Sequence, residues 1–193
     1  MKILPGAFSV SATTKVRFSP GNLQYQASTD TWRFAEHQYD YIGEDNENIS
    51  TTYNGWIDLF GWGTGDNPTN ASKNDEDYPT FVDWGVNKIS NGGNVSNAWF
   101  TLSIHEWDYL IYTRPDASSK QGSAEVNGIP GLVLLPDNWT YASGAHFTSG
   151  FASNDGYEYY KTVNTYTASE WTLMEEAGAV FLPAAGERDG TSL

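Results

Sequence analysis

Thr167-Ala168-Ser169-Glu170-Trp171-Thr172-Leu173-Met174-Glu175-Glu176-Ala177-Gly178-Ala179-Val180-Phe181-Leu182-Pro183 is the stretch that decides the fold class. Thr167 followed three residues on by Glu170 is a capping box, in which the threonine oxygen accepts an orphan N–H and the glutamate reaches back to the cap. Trp171, Met174 and Ala177 then fall on one stripe, Glu175 and Glu176 lie off it, and Gly178 stops the helix. The apolar run Ala179-Val180-Phe181-Leu182, closed by Pro183, reads as a buried strand.

The device recurs upstream. Ser103-Ile104-His105-Glu106 is a second capping box, with Ile104, Trp107, Leu110 and Ile111 sharing a face, and Leu132-Val133-Leu134-Leu135 later runs into Pro136. Two copies at unequal spacing fall short of the three or more that a solenoid stacks. The pattern therefore predicts an α+β chain in which two short helices pack on a small, mainly antiparallel mixed sheet.

Working outward, Val16 and Phe18 alternate with Lys15, Arg17 and Ser19 before the turn signal Pro20-Gly21-Asn22. Leu23 and Tyr25 alternate with Gln24 and Gln26, and Trp32 and Phe34 with Thr31, Arg33 and Ala35, which predicts an antiparallel meander over 15–43. From 43 to 97 no period of 2 or 3.6 persists, and Asn, Asp, Gly, Ser and Thr surround isolated aromatics. Loops longer than about 15 residues are uncommon in compact domains unless functional or disordered, so the stretch from Gly63 to Pro79 is the best place for a binding surface or for flexibility.

A length of 193 residues is read as one domain, with 43–97 as a loop-rich insertion in it. Ten Lys+Arg against 24 Asp+Glu leave a formal charge of −14, which repels phosphate backbones and anionic lipid; nucleic acid and membrane insertion are not expected. With no cysteine there is no disulfide, thiolate nucleophile or Cys-ligated metal. No run approaches the ~18–20 apolar residues of a membrane span, and Met1-Lys2-Ile3-Leu4 is interrupted by Pro5 and Gly6, too soon for a signal peptide.

Chemistry is hard to find. There is no Gly-x-Ser-x-Gly, and His37, His105 and His146 lie in separate segments without a local signature. The Asp- and Asn-rich stretches at 43–48 and 66–77 could ligate calcium by residue type, yet neither follows EF-hand spacing, and turn-forming roles account for them. Gly61-Trp62-Gly63-Thr64-Gly65 lacks phosphate-loop spacing and reads as a turn. The pairs Glu106/Asp108 and Glu175/Glu176 lie on the short helices, where solvated faces explain them. No catalytic residue, cofactor site or metal site is assigned.

What remains is an aromatic excess of eight Trp and 12 Tyr, flat apolar faces with a polar edge on which sugars stack and partner proteins anchor. Trp32, Trp107 and Trp171 are accounted for by strand and helix packing. Trp56, Trp62 and Trp84, in the loop-rich part, are the candidate ligand-binding residues. For each of them, as for Trp99, the competing role is a plug in the core.

Several strings occur in order: Phe18-Ser19-Pro20-Gly21-Asn22-Leu23-Gln24-Tyr25; Trp32-Arg33-Phe34-Ala35-Glu36 with Tyr39-Asp40-Tyr41-Ile42-Gly43; and Gly55-Trp56-Ile57-Asp58-Leu59-Phe60-Gly61-Trp62-Gly63-Thr64. Asp83-Trp84-Gly85, Ile89-Ser90-Asn91-Gly92-Gly93-Asn94, Glu106-Trp107, Leu134-Leu135-Pro136 and Ala179 to Gly186 continue the series. Together they resemble the paralogous surface proteins of gut Bacteroidetes related to the Fibrobacter major paralogous domain. The resemblance implies a C-type-lectin-like fold, shared with formylglycine-generating enzymes, and an exported protein at the cell surface. The enzymatic branch of that fold uses cysteine, so no activity is carried over, and the strings by which calcium-dependent lectins hold sugar are not found.

Members of that family run on past the equivalent of Gly190-Thr191-Ser192-Leu193, so the resemblance implies either a lectin-like domain truncated at its C-terminus or one that completes its sheet in another way. An unpaired strand near Val180 would then favour self-association. The expected function is a non-enzymatic adhesin-like module recognising a glycan or a host or bacterial surface protein. The alternatives are a carbohydrate-active hydrolase and a structural subunit of a surface layer or fimbria.

Overall fold

The computed structural model describes residues 2–78, 80–141, 143–151 and 163–193. The chain is α+β, with few short helices and small sheets. Its elements in chain order are β1 (Phe8–Ser9), β2 (Lys15–Val16), β3 (Leu23–Gln26), β4 (Thr31–Phe34), α1 (Ile104–Asp108), β5 (Gln121–Val126), β6 (Ile129–Leu134), β7 (Asn164–Tyr166), α2 (Ala168–Glu176) and β8 (Val180–Pro183). Where the sequence reads one domain, the residues cluster in two compact units, one from 20–101 and 185–193 and the other from 3–19 and 102–184.

The second of these units carries both capping boxes. In α2, Thr167 Oγ1 accepts from the Glu170 amide and the Glu170 carboxylate accepts from the Thr167 amide, while Trp171 and Met174 are buried. The helix ends in a Schellman motif: the Gly178 amide donates to the Glu175 carbonyl and the Ala179 amide to that of Met174. Gly178 makes this possible with φ +101°, a conformation in which a Cβ is strained. The chain leaves directly into β8, as the apolar run predicts.

The sheet has the order β7-β5-β6-β8, parallel between β7 and β5 and antiparallel elsewhere. A hairpin absent from the sequence reading joins β5 to β6. Asn127 and Gly128 both have positive φ, 51° and 82°, the signature of a type I′ turn, whose twist matches that of the paired strands. Strand β8 has one hydrogen-bonded neighbour in the sheet, yet Val180 and Phe181 are only 2% exposed, so the strand does not offer an open edge at those residues.

Two expectations are corrected here. Val16 does not open a meander: β2 pairs with β1, and β3 and β4 form a separate two-stranded sheet. Phe8 and Val10, buried with Leu4, provide the apolar surface that β2 follows. Ile104 does not share the buried face of Leu110; it is 70% exposed. Ile104 is the first residue of the helix and lies about 120° round an α-helix from Leu110, and after five α-helical residues the chain widens into a π turn over Tyr109–Thr113, which also shifts the phase of Ile111.

A polar knot pins this unit. The Asp137 carboxylate accepts from the amide and hydroxyl of Ser9, pairs with Lys15 at 2.9 Å and meets the Arg114 guanidinium at 3.3 Å. Burial alone would raise the Asp137 pKa, but the Ser9 hydrogen bonds and the Lys15 charge outweigh it and hold the group at about 2. Arg114 is 2% exposed, and burial pulls its pKa down against the pull of Asp137.

The first unit is built on the β3–β4 hairpin. Its register sets Leu23 opposite Phe34 and Tyr25 opposite Trp32, so the alternating residues converge on one face. Ile57 and Ile89 add isolated bridges to Tyr25 and Trp32 and complete a buried cluster against which Phe60, Trp84 and Trp99 pack. The loop-rich stretch 43–97 is thereby tied to the hairpin by its isolated apolar residues. Its local order comes from 3-10 turns at Gly43–Asn48, Asp75–Asp77 and Trp84–Val86.

Candidate functional site

Asn46 organises the region from which the site is built. Fully buried, its side chain donates to the carbonyl of Gly43 and to the Asp58 carboxylate, and accepts from the amides of Asp58 and Leu59. Asp58 titrates above the ordinary carboxylate range because burial outweighs the hydrogen bonds from Asn46, Ile42 and Asn22. The Arg188 guanidinium docks on the same region, donating through Nε to the Leu59 carbonyl at 2.9 Å and through Nη2 to the Asn46 carbonyl. A third bond runs from Nη1 to the Gly190 carbonyl at 3.2 Å, which curls the chain around its own arginine.

Beside Arg188 lies a cavity of about 480 Å³. One wall is the segment 188–190. Gly190 takes the left-handed conformation, φ +63°, and a Cβ there would meet the Lys73 side chain at 2.5 Å, so the lysine stem lies across the glycine. That places the Lys73 ammonium 2.8 Å from Asp189, an exposed ion pair worth little by itself.

The opposite wall is the loop 70–78, which closes on itself. Asn70 Oδ1 accepts from the Ser72 amide, Asn70 Nδ2 donates to the Asp77 carbonyl, and the Tyr78 hydroxyl donates to the Ser72 carbonyl at 2.7 Å. The Asx turns expected from composition are therefore present, and they shape a wall. Among the described residues no group of three or more His, Asp or Glu gathers as metal ligands would.

Trp62 stands at this cavity. It lies in the turn predicted at 61–65, where Gly63 has φ +72° and the space of its missing Cβ is filled by Phe81. The indole is flanked by Phe81 at 5.5 Å and, edge to face, by Trp84 at 5.8 Å, and is still 57% exposed. The ring is thus held by neighbours without being covered by them.

The three candidate tryptophans have three different placements. Trp62 lines the cavity. Trp84 supports it from the core, packed on Phe60 at 5.8 Å. Trp56 stands apart, half-buried, with the Arg33 guanidinium 3.7 Å from its ring centre, so one of its faces is occupied by a cation–π contact.

Lys73, Tyr78, Arg188 and Asp189 were not singled out by sequence, although Lys73 and Tyr78 fall inside the Gly63–Pro79 stretch flagged for binding. For Arg188 and Asp189 no local signal exists, since their partners Leu59 and Lys73 lie more than a hundred positions away. No family model, curated protein or solved structure matches the chain.

Proposed function

We propose that this protein is a non-enzymatic, surface-exposed module of C-type-lectin-like kind whose ligand is a glycan seated in the cavity beside Trp62. The observation that carries this reading is the exposed Trp62 ring at the edge of a 480 Å³ cavity that is also lined by Asn70, Ser72, Lys73, Tyr78, Arg188 and Asp189. Pockets of about 300–1,000 Å³ suit small ligands. A sugar presents an apolar C–H face to an indole and hydroxyl groups to a polar wall, and this cavity offers both. The family resemblance of the ordered strings from Phe18 to Gly186 supports the same reading, together with export to the cell surface.

The test is calorimetric titration of a glycan panel against the wild type, Trp62→Ala and Trp56→Ala. Trp62→Ala should lose tenfold or more in affinity with only a small drop in its denaturation midpoint, because the ring is more exposed than buried and gives up only its contacts with Phe81 and Trp84; Trp56→Ala should keep its affinity. A wild type that binds no glycan at millimolar concentration refutes the proposal. So does release of new reducing ends from the bound glycan, which would move the protein to the hydrolase alternative.

A further inference from the structure

We infer that the sugar this cavity takes is an acidic one, a short glycan carrying a carboxylate or sulfate that is received by Arg188 and Lys73. The inference rests on the glycan reading above and names the ligand class. A guanidinium has five N–H donors, and three of those of Arg188 are spent on the carbonyls of Leu59, Gly190 and Asn46. Those acceptors are neutral. No carboxylate pairs with Arg188 among the described residues, so its positive charge is uncompensated and one N–H on each terminal nitrogen is left for another acceptor. An arginine serving only to anchor the segment 188–190 would be better stabilised by a carboxylate, and this chain has 24 of them.

Lys73 adds a second cation on the same cavity, and Asp189 is the single carboxylate among its lining residues. The local balance is two cations to one anion, in a chain whose formal charge is −14. The exposed Lys73 ammonium keeps donors beyond the one given to Asp189 and can turn toward a ligand anion without breaking any buried contact. Trp62 supplies the flat face and the two cations the anchor for a charged substituent. The overall negative field opposes long polyanions, which restricts the ligand to one or a few acidic residues.

The experiment compares matched pairs of probes by titration: trigalacturonate with its methyl ester, and a 6-sulfated disaccharide with its desulfated form. At least one anionic member should bind tenfold or more tightly than its uncharged counterpart, about 1.4 kcal/mol. Lys73→Met should lower that ratio several-fold, Arg188→Gln should bring it to about one, and Arg188→Lys should restore part of it. Which pair shows the preference identifies the anion. Equal affinity within both pairs, or a preference that survives Lys73→Met and Arg188→Gln unchanged, overturns this inference and leaves the glycan proposal standing. If no probe or neutral sugar binds, both fall. Should Arg188→Gln not fold, the wild-type ratios and the exposed Lys73→Met variant decide.

Discussion

Replacing Asp137 with asparagine keeps the shape of the side chain and removes its charge. The carboxylate sits 3.3 Å from Arg114 and 2.9 Å from Lys15 and accepts two bonds from Ser9. Its pKa is held at about 2 against an ordinary 3.8. Each pKa unit is about 1.4 kcal/mol, so the ionised form contributes about 2 kcal/mol of stability at neutral pH. Because the folded pKa is the lower one, that contribution is present above about pH 4 to 5 and is lost as the pH falls through 2, with about half gone by pH 3.

Breaking a buried pair from one side commonly costs about 3–5 kcal/mol. Asparagine still accepts from Ser9, so the expected loss for Asp137→Asn at pH 6 is near the lower end, about 3 kcal/mol. Urea unfolding of wild type and variant from pH 6 to pH 2 measures both numbers. The gap between the two proteins should narrow by about 2 kcal/mol over that range, since the wild type loses its ionised carboxylate and the variant has none to lose. A gap that is absent at pH 6, or that stays constant down to pH 2, refutes the reading that Ser9 and Lys15 hold Asp137 ionised in the folded state.

Asn46→Ala orphans the amides of Asp58 and Leu59 inside the first unit, at a cost of about 2–4 kcal/mol visible as a lower urea midpoint; a change under 0.5 kcal/mol would contradict the role given to Asn46. Thr167→Ala removes the acceptor of the Glu170 amide at the start of α2 and should cost about 1 kcal/mol without altering the denaturant slope, measured in the same way.

Both capping boxes, the stripe of Trp171 and Met174, the strand after Gly178 and the alternating hairpin Leu23–Phe34 were legible in the sequence. Each depends on interactions within a few residues, and the local pattern contains all the participants. Ile104 differs from the expectation because it lies about 120° round the helix from Leu110, and the π turn at Tyr109–Thr113 further alters the phase of the residues after Asp108. Asn127-Gly128 is itself a two-residue hairpin signal, and the turn it forms joins β5 to β6. Trp56, Trp62 and Trp84 were equally legible as candidates, each with a core plug as the competing role, and the sequence could not distinguish them, since exposure depends on what the rest of the chain brings alongside.

The sequence by itself determined the α+β class, the start of both helices, the end of the second and the acidic, cysteine-free chemistry that excludes thiolate sites, since these follow from composition and from contacts three or four residues apart. Only the tertiary structure decided that Arg188 hangs from the carbonyls of Leu59 and Asn46, that Lys73 crosses Gly190, and that Trp62 stands uncovered beside them. A backbone carbonyl is present at every residue and leaves no mark in the sequence. An arginine that takes carbonyls from positions 46 and 59 can be located only once the chain has brought them together.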